Sequence, residues 1–359
     1  MISGYYGFGN AGDEAVLLGI TRSLRDRASD LDIVVLSAAP RRTEMEHDVR
    51  AVSRTNLGAI LREMRGAHLV ISGGGSLLQD VTSLRSLGYY TGIIYLAGRL
   101  GVPVMIYGQG IGPVRTGPGR WLVSAVVNGV DLITVRDSRS IRELKRLGVT
   151  RPPVKLSADP ALALEPAAES DRARSLLHRE GVPLDGRPLV GLCPREWGGH
   201  ELAEGLARLA DQVTERLGAR VVLVPLHLPE DLSLAAGIAR RSERGVHVLR
   251  RPLPVRDLLG VFGQFSLVVG VRLHALIFAA VNRVPMVGIS YDPKVEGFLA
   301  DLGEEPVRVE GLAAAELTRK VEEVWGRREG FRTKLAERLP QLRRLAAKSA
   351  EAALSLMEV

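Results

Sequence analysis

Residues 268–274, V-V-G-V-R-L-H, set Arg272 and His274 two positions apart, where a β-branched run gives way to a helical pattern. An arginine fork suits a carboxylate or phosphate, and a histidine can move protons near neutral pH. The plainer reading of the same pair is a surface arginine beside a packed histidine. Residues 289–294, I-S-Y-D-P-K, close the next strand-like run with Lys294, one of six lysines against 42 arginines. A compact ammonium does chemistry that arginine cannot, although a solvated loop lysine would look the same. Arg136 in V-R-D-S-R-S and Arg195 in C-P-R-E-W end two further strand-like runs. Asp137 or Ser138 can cap the helix after Arg136. Together Arg136, Arg195, Arg272 and Lys294 would line a positive pocket for a small anion carrying both carboxylate and phosphate.

Three glycine-rich turns follow strand-like runs in the first half: G-F-G-N-A-G at 7–12, G-G-G-S at 73–76 and G-Q-G-I-G-P at 108–113. Glycine lets the backbone approach a ligand closely, so three such turns at successive strand ends would form one rim. Each is also an ordinary tight turn, with Asp13 and Ser76 available as helix caps. The first matches the G-x-G-x-x-G dinucleotide pattern. NAD or FAD is disfavoured, because the next strand ends Leu36, Ser37, Ala38 without an acid for the ribose. Asp13 and Glu14 would also set negative charge beside a pyrophosphate. His200 and His227 lack partners at metal-ligand spacing, and Asp13, Asp80 and Asp159 form no D-x-D pair, so metal-free chemistry is expected.

Positioning these residues calls for parallel strands, and the patterning supplies them. Short β-branched runs alternate with amphipathic stretches, the signature of βαβ units. Strands are expected near residues 1–5, 32–37, 68–72, 103–108 and 131–135, then near 189–193, 220–225, 245–249, 267–270 and 284–289. The pattern softens between 165 and 187. This predicts an α/β chain of two Rossmann-like, doubly wound domains facing across a cleft, a GT-B-like arrangement. The expected bounds are 1–165 for the first Rossmann-like domain, 166–187 for a linker with a short helix, 188–328 for the second, and 329–359 for a C-terminal helix. That helix, with Arg338, Arg343, Arg344 and Lys348, would pack back across the domains or touch a membrane surface.

The 359 residues carry 46% hydrophobic and 25% charged residues, which excludes global disorder. A single cysteine, Cys193, excludes a disulfide framework and implies a reducing, cytoplasmic setting. The greasiest stretch, 266–289, is broken by Arg272, His274, Asn282, Arg283 and Pro285, so it is not a spanning helix. A net charge of +7 favours anionic partners. Nucleic acid is the weakest of them, since there is no lysine-rich tail or aromatic stacking motif.

The ordered set S-G-Y-Y-G-F-G-N-A-G-D-E-A, G-G-G-S-L-L-Q-D, V-R-D-S-R-S, V-R-L-H and S-Y-D-P-K resembles the polysaccharide pyruvyl transferase family, closest to its bacterial secondary cell-wall polymer branch. The resemblance implies transfer of pyruvate from phosphoenolpyruvate to a sugar as a 4,6-ketal, with phosphate released. The implied acceptor is N-acetylmannosamine on a lipid-diphosphate-linked disaccharide, handled at the inner membrane face, and the product would anchor S-layer proteins. By motif position His274 resembles the catalytic histidine, and Arg136, Arg272 and Lys294 the donor ligands. Ser3, Asn10 and Asp13 would lie on the acceptor side; Arg195 joins the donor set by its place at a strand end. No cofactor or metal is implied. Two alternatives stay open: a nucleotide-sugar-dependent GT-B glycosyltransferase, and a non-catalytic module that binds the polymer.

Overall fold

A computed structural model describes residues 1–166, 170–195, 200–308 and 314–357, with residues 170, 200–202 and 314 described by backbone alone. The side chain of His200 therefore lies outside the described residues. The chain forms two compact units, Met1–Leu164 with Gln341–Val359, and Glu165–Pro340.

In the first unit β1 (Ile2–Ser3), β2 (Val34–Ser37), β3 (Arg50–Ser53), β4 (Val70–Gly73), β5 (Val104–Gln109), β6 (Leu132–Val135) and β7 (Val154–Leu156) form one sheet. Their order is β3-β2-β1-β4-β5-β6-β7, and every pair is parallel. The crossovers are α1 (Ala11–Arg25), α2 (Pro40–His47), α3 (Leu57–Arg65), α4 (Leu84–Arg99), α5 (Gly117–Val127) and α6 (Ser138–Arg146). Every residue of β2, β4, β5 and β6 is buried, as strands covered by helices on both faces must be. The strand order reverses between β1 and β4, and at such a switch point loops diverge and leave room for a ligand.

The second unit repeats the plan. It comprises α7 (Ser170–Arg179), β8 (Leu189–Cys193), α8 (His200–Leu217), β9 (Arg220–Leu223), α9 (Glu230–Arg241), β10 (His247–Val248) and α10 (Val255–Phe262). It continues with β11 (Leu267–Gly270), α11 (Leu273–Val281), β12 (Met286–Ser290), α12 (Pro293–Asp301), β13 (Val307–Arg308) and α13 (Ala314–Gly326). The all-parallel order β10-β9-β8-β11-β12-β13 puts the switch point between β8 and β11. The apolar stretch 266–289 is β11, α11 and β12, and every residue of α11 except His274 is buried. Phe262 packs edge-on to Phe265 and Phe278, at 5.6 and 5.3 Å between centroids. Among the described residues no helix is long and apolar enough to cross a membrane.

The stretch expected as a linker belongs to the second unit. There α7 is fixed by Arg172, whose fork reaches Asp257 of α10 at 2.6 and 2.9 Å. The last helix, α14 (Arg328–Ser355), starts in the second unit and ends in the first. Its latter part buries Ala346, Ala350 and Ala353. Ser349 Oγ donates to Thr134 Oγ1 at 3.0 Å and shares a 2.8 Å hydrogen bond with Ser157.

Phe278 stands at the centre of the second unit's apolar core. Phe278→Ala is expected to lower stability by about 3–5 kcal/mol, read as a shift of the denaturant midpoint; an unchanged midpoint would place the core elsewhere.

Candidate functional site

In the first unit, three loops at the carboxyl edge of the sheet close on one another. Asn10 caps α1, its side chain accepting from the Gly12 N–H at 3.0 Å. Asp13, expected as the cap, lies inside the first turn because the helix already begins at Ala11. The next residue, Glu14, accepts from the Gly7 N–H at 2.7 Å with one oxygen and meets His47 Nε2 at 2.9 Å with the other. A buried carboxylate thus occupies a loop N–H that a pyrophosphate would need. Glu14, Glu46 and His47 have their ligand atoms within 4.8 Å of one another, yet Glu14 is spent on Gly7 and His47, and Glu46 pairs with Arg42 at 2.7 Å.

The glycines of the second loop answer to packing. Gly74 and Gly75 take φ of +67° and +65°, and a Cβ at Gly74 would stand 1.7 Å from Val16 Cγ1. A Cβ at Gly75 would stand 2.7 Å from an Asp13 carboxylate oxygen, so Asp13 lies against this loop. Ser76 is no helix cap: α4 starts later and is capped by Ser83. The third loop joins the second through Gly110 N–H to Gly75 O at 2.9 Å, and Gln109 Nε2 donates to Ser72 O at 2.8 Å.

Two expected site residues are buried. Ser3 lies in β1 with its hydroxyl enclosed and unpartnered. Arg136, expected to line the cleft as an anion ligand, is paired with buried Asp159 at 2.8 Å and donates to Ser76 Oγ at 3.2 Å. The guanidinium fits beneath Gly110, where a Cβ would come within 2.7 Å of it. Asp159 holds the Arg136 Nη1 and Ser76 its Nη2, so the guanidinium is fixed behind the loops. Asp137 caps α6 as expected, accepting from Ser140 N–H at 2.7 Å.

One constellation escapes the sequence reading. Tyr5 and Phe8 stack at 4.1 Å between centroids. The Arg54 guanidinium lies 4.9 Å from the Phe8 ring and 4.0 Å from that of Tyr89. Tyr89 Oη donates to the Arg54 carbonyl at 3.0 Å. Burial raises the Tyr90 hydroxyl pKa above its ordinary range, with Arg54 opposing and Asp13 adding to the rise. In a chain with only 4% aromatics, this grouping beside Asp13 is the signal that could have found it.

In the second unit the expected residues gather at the ends of adjacent strands. Arg195 follows β8, Arg272 and His274 follow β11, and Lys294 follows β12, in the sheet order β8-β11-β12. Arg272 forks onto Asp231 with Nε and Nη2, each at 2.6 Å, which leaves its Nη1 edge for other use. Asp231 also accepts from the His227 N–H at 2.9 Å, fixing the turn after β9. The Arg195 guanidinium lies 4.9 Å from the Tyr291 ring and hydrogen-bonds its hydroxyl. Lys294 Nζ meets Asp292 at 3.0 Å, and Asp292 caps α12. His274 sits in the first turn of α11, the one residue of that helix with solvent access. The helix dipoles of α11 and α12 add positive potential at this edge.

His227, without metal-ligand spacing in the sequence, is a neighbour of Arg272 and Arg195. Burial holds its pKa below the ordinary 6.5, and the charges of Arg272 and Arg195 push the same way against Glu230 and Asp231. The arrangement offers cations for an anion, and imidazoles for proton movement, at one sheet edge.

Two outcomes check this geometry. Asp231→Ala strands a buried guanidinium and is expected to lower stability by about 3–5 kcal/mol in denaturant unfolding. The His227 imidazole is expected to titrate below 6.5 in proton NMR, and Arg195→Ala to raise its midpoint. A midpoint that Arg195→Ala leaves unmoved would separate the two residues electrostatically.

The family model of polysaccharide pyruvyl transferase matches residues 10–293. The amylovoran biosynthesis protein AmsJ of Erwinia amylovora is 24% identical, over 97% of this chain and 97% of its own. Among solved structures, the UDP-GlcNAc 2-epimerase of Neisseria meningitidis bound to UDP-GlcNAc has a TM-score of 0.68 at 12% identity, covering 99% of each chain. HepE of Anabaena in complex with UDP-glucose has a TM-score of 0.66 at 15% identity, covering 99% of this chain and 98% of its own. At such identities the likeness is one of fold, two parallel-sheet α/β domains shared with GT-B glycosyltransferases and epimerases. With most of its length matched by that family model, the chain belongs to the polysaccharide pyruvyl transferase family.

Proposed function

We propose that this enzyme transfers the pyruvyl group of phosphoenolpyruvate to two hydroxyls of one sugar in a lipid-diphosphate-linked polysaccharide precursor, forming a 4,6-ketal and releasing phosphate. The observation that carries this reading is the grouping of Arg195, Arg272, His274 and Lys294 at the ends of neighbouring strands in the second unit. The family supports the transferase class, and the relation to an amylovoran biosynthesis protein supports a polysaccharide precursor as acceptor. In keeping with the family branch first suggested by the motifs, the acceptor sugar is N-acetylmannosamine of a secondary cell-wall polymer.

The chemistry runs in balanced steps. Protonation of the terminal carbon of phosphoenolpyruvate leaves an oxocarbenium-like centre at its second carbon. One sugar hydroxyl attacks that carbon and gives up its proton. The carbon–oxygen bond to phosphate then breaks, phosphate departs, and the second hydroxyl closes the ketal with loss of its own proton. One proton ends in the new methyl group and one on phosphate. Arg195, the open edge of Arg272, and Lys294 hold the donor's carboxylate and phosphate and stabilise the charge as it leaves. His274 moves the proton. The scheme calls on no cofactor or metal.

In the first unit Asn10 and Asp13 contact the acceptor. Arg136, its side chain enclosed, holds the loop after β4 through Ser76, and Ser3 is buried in β1 behind that edge. HepE in complex with UDP-glucose keeps a nucleotide-sugar glycosyltransferase as the second reading, since that protein shares the fold.

Calorimetric titration tests the proposal. The protein is expected to bind phosphoenolpyruvate and not UDP-sugars. Lys294→Ala is expected to weaken donor binding about ten-fold or more, while His274→Ala keeps binding and loses turnover on a lipid-linked acceptor. Binding of UDP-sugars alone would favour the glycosyltransferase, and near-normal turnover in His274→Ala would remove that residue from the mechanism.

A further inference from the structure

Large apolar side chains on the described surface are unevenly spread. Five of the eight that stand exposed fall on α4, α5 or the turns beside α4: Val81 (59%), Leu84 (45%), Tyr95 (55%), Leu100 (38%) and Trp121 (71%). From residue 81 to residue 130 the chain has no Asp or Glu at all, although a quarter of its residues are charged. The charges of this stretch are Arg85, Arg99, Arg115 and Arg120, all exposed, and none forms an ion pair among the described residues. Asp80, at its border, is spent on the backbone N–H groups of Arg115 and Thr116, each at 2.8 Å.

These residues share one face. On α4, Leu84, Gly88, Gly92 and Tyr95 recur at the spacing of a single helical stripe, and a side chain at Gly88 or Gly92 would meet open space. On α5, Gly117, Trp121 and Ala125 are exposed at the same four-residue interval. The inner faces of the two helices, with Leu87, Ile94, Ala97, Val123 and Val127, are sunk in one apolar core, so their outer faces form one layer. Both helices follow strands, which sets Val81, Leu84 and Trp121 toward the same sheet edge as the glycine loops.

Exposed tryptophan and tyrosine among arginines, with acids withheld, is the complement of a lipid headgroup layer: amphipathic rings sit at its depth, and guanidinium groups meet its phosphates. We propose that the outer face of α4 and α5 docks the enzyme on an anionic phospholipid surface. This rests on the proposed function only in so far as a membrane-borne acceptor gives the docking a purpose. It also replaces the C-terminal helix as the membrane contact. In α14, Arg343 donates to the Leu164 carbonyl at 2.9 Å and the small residues nearby are buried, so that segment packs back on the first unit.

Sedimentation of the full-length protein with vesicles tests the face. The protein is expected to pellet with vesicles of equal parts phosphatidylglycerol and phosphatidylcholine, to stay in solution with phosphatidylcholine alone, and to be released as salt rises well above about 0.1 M. Trp121→Ala with Tyr95→Ala is expected to weaken binding about ten-fold, Arg85→Glu with Arg115→Glu to abolish it, and Arg338→Glu with Arg344→Glu to leave it unchanged. Every one of these side chains is exposed, so the fold is kept. Phosphoenolpyruvate titration of each variant is expected to match wild type, which separates failure of the docking face from failure of the donor site. Wild-type protein that ignores anionic vesicles, or α4–α5 variants that bind as wild type, would overturn the proposal. So would a wild-type dimer in sedimentation velocity that Trp121→Ala turns into a monomer, since the face would then belong to a second copy.

Discussion

The second unit's site depends on one buried carboxylate. Asp231 lies where water cannot compensate it, and an ion in that position is tolerable only with its oxygens filled. Backbone N–H groups of the turn after β9 and both arms of the Arg272 fork fill them. Two loops on either side of β8 are thereby pinned to the same point. Arg272 cannot swing away without abandoning its partner, so its remaining edge is held before any ligand arrives. Arg195 is steadied in another way, by the face and hydroxyl of Tyr291. Cations fixed in advance do not need to reorganise as charge develops, which is the condition under which they act most strongly.

The first unit turns the same kind of pair to a different end. Arg136 and Asp159 are enclosed, and with Ser76 they tie the turn after β6 to the loop after β4 and to the segment after β7. Gly74 and Gly75 press that loop against α1, while Glu14 binds the first glycine loop from inside. What remains accessible is the rim, with Asn10, Asp13, and the Phe8 ring stacked on Tyr5 and in contact with Arg54.

Burial decides how much of this is legible in the sequence. Strands such as V-I-S-G, L-I-T-V and L-V-G-L-C are covered on both faces and leave continuous apolar runs. R-A-V-S and V-K-L are edge strands β3 and β7, exposed or half-buried throughout, and V-R is the two-residue edge strand β13 with only Val307 buried, so none leaves such a trace. Missing β3 hides Arg54, which follows it. The motifs do locate the ligand-side edges, because glycine spacing and strand ends are local properties. They do not reveal whether an arginine faces a ligand or a carboxylate. The partner of Arg136 lies 23 residues away and that of Arg272 lies 41 residues away, so only the folded chain brings each pair together.

The path of α14 carries a consequence for synthesis. The second unit is one unbroken run, Glu165–Pro340, whereas the first waits for Gln341–Val359. Those last residues bring Ser349 to Thr134 and Ser157, and Glu351 to Arg27. On the ribosome the sheet of the first unit emerges before the second unit, yet lacks its closing segment until the whole of Glu165–Pro340 has been made. The usual order, in which the earlier domain completes itself first, is therefore reversed for these two units, and the first is finished by residues made after the second.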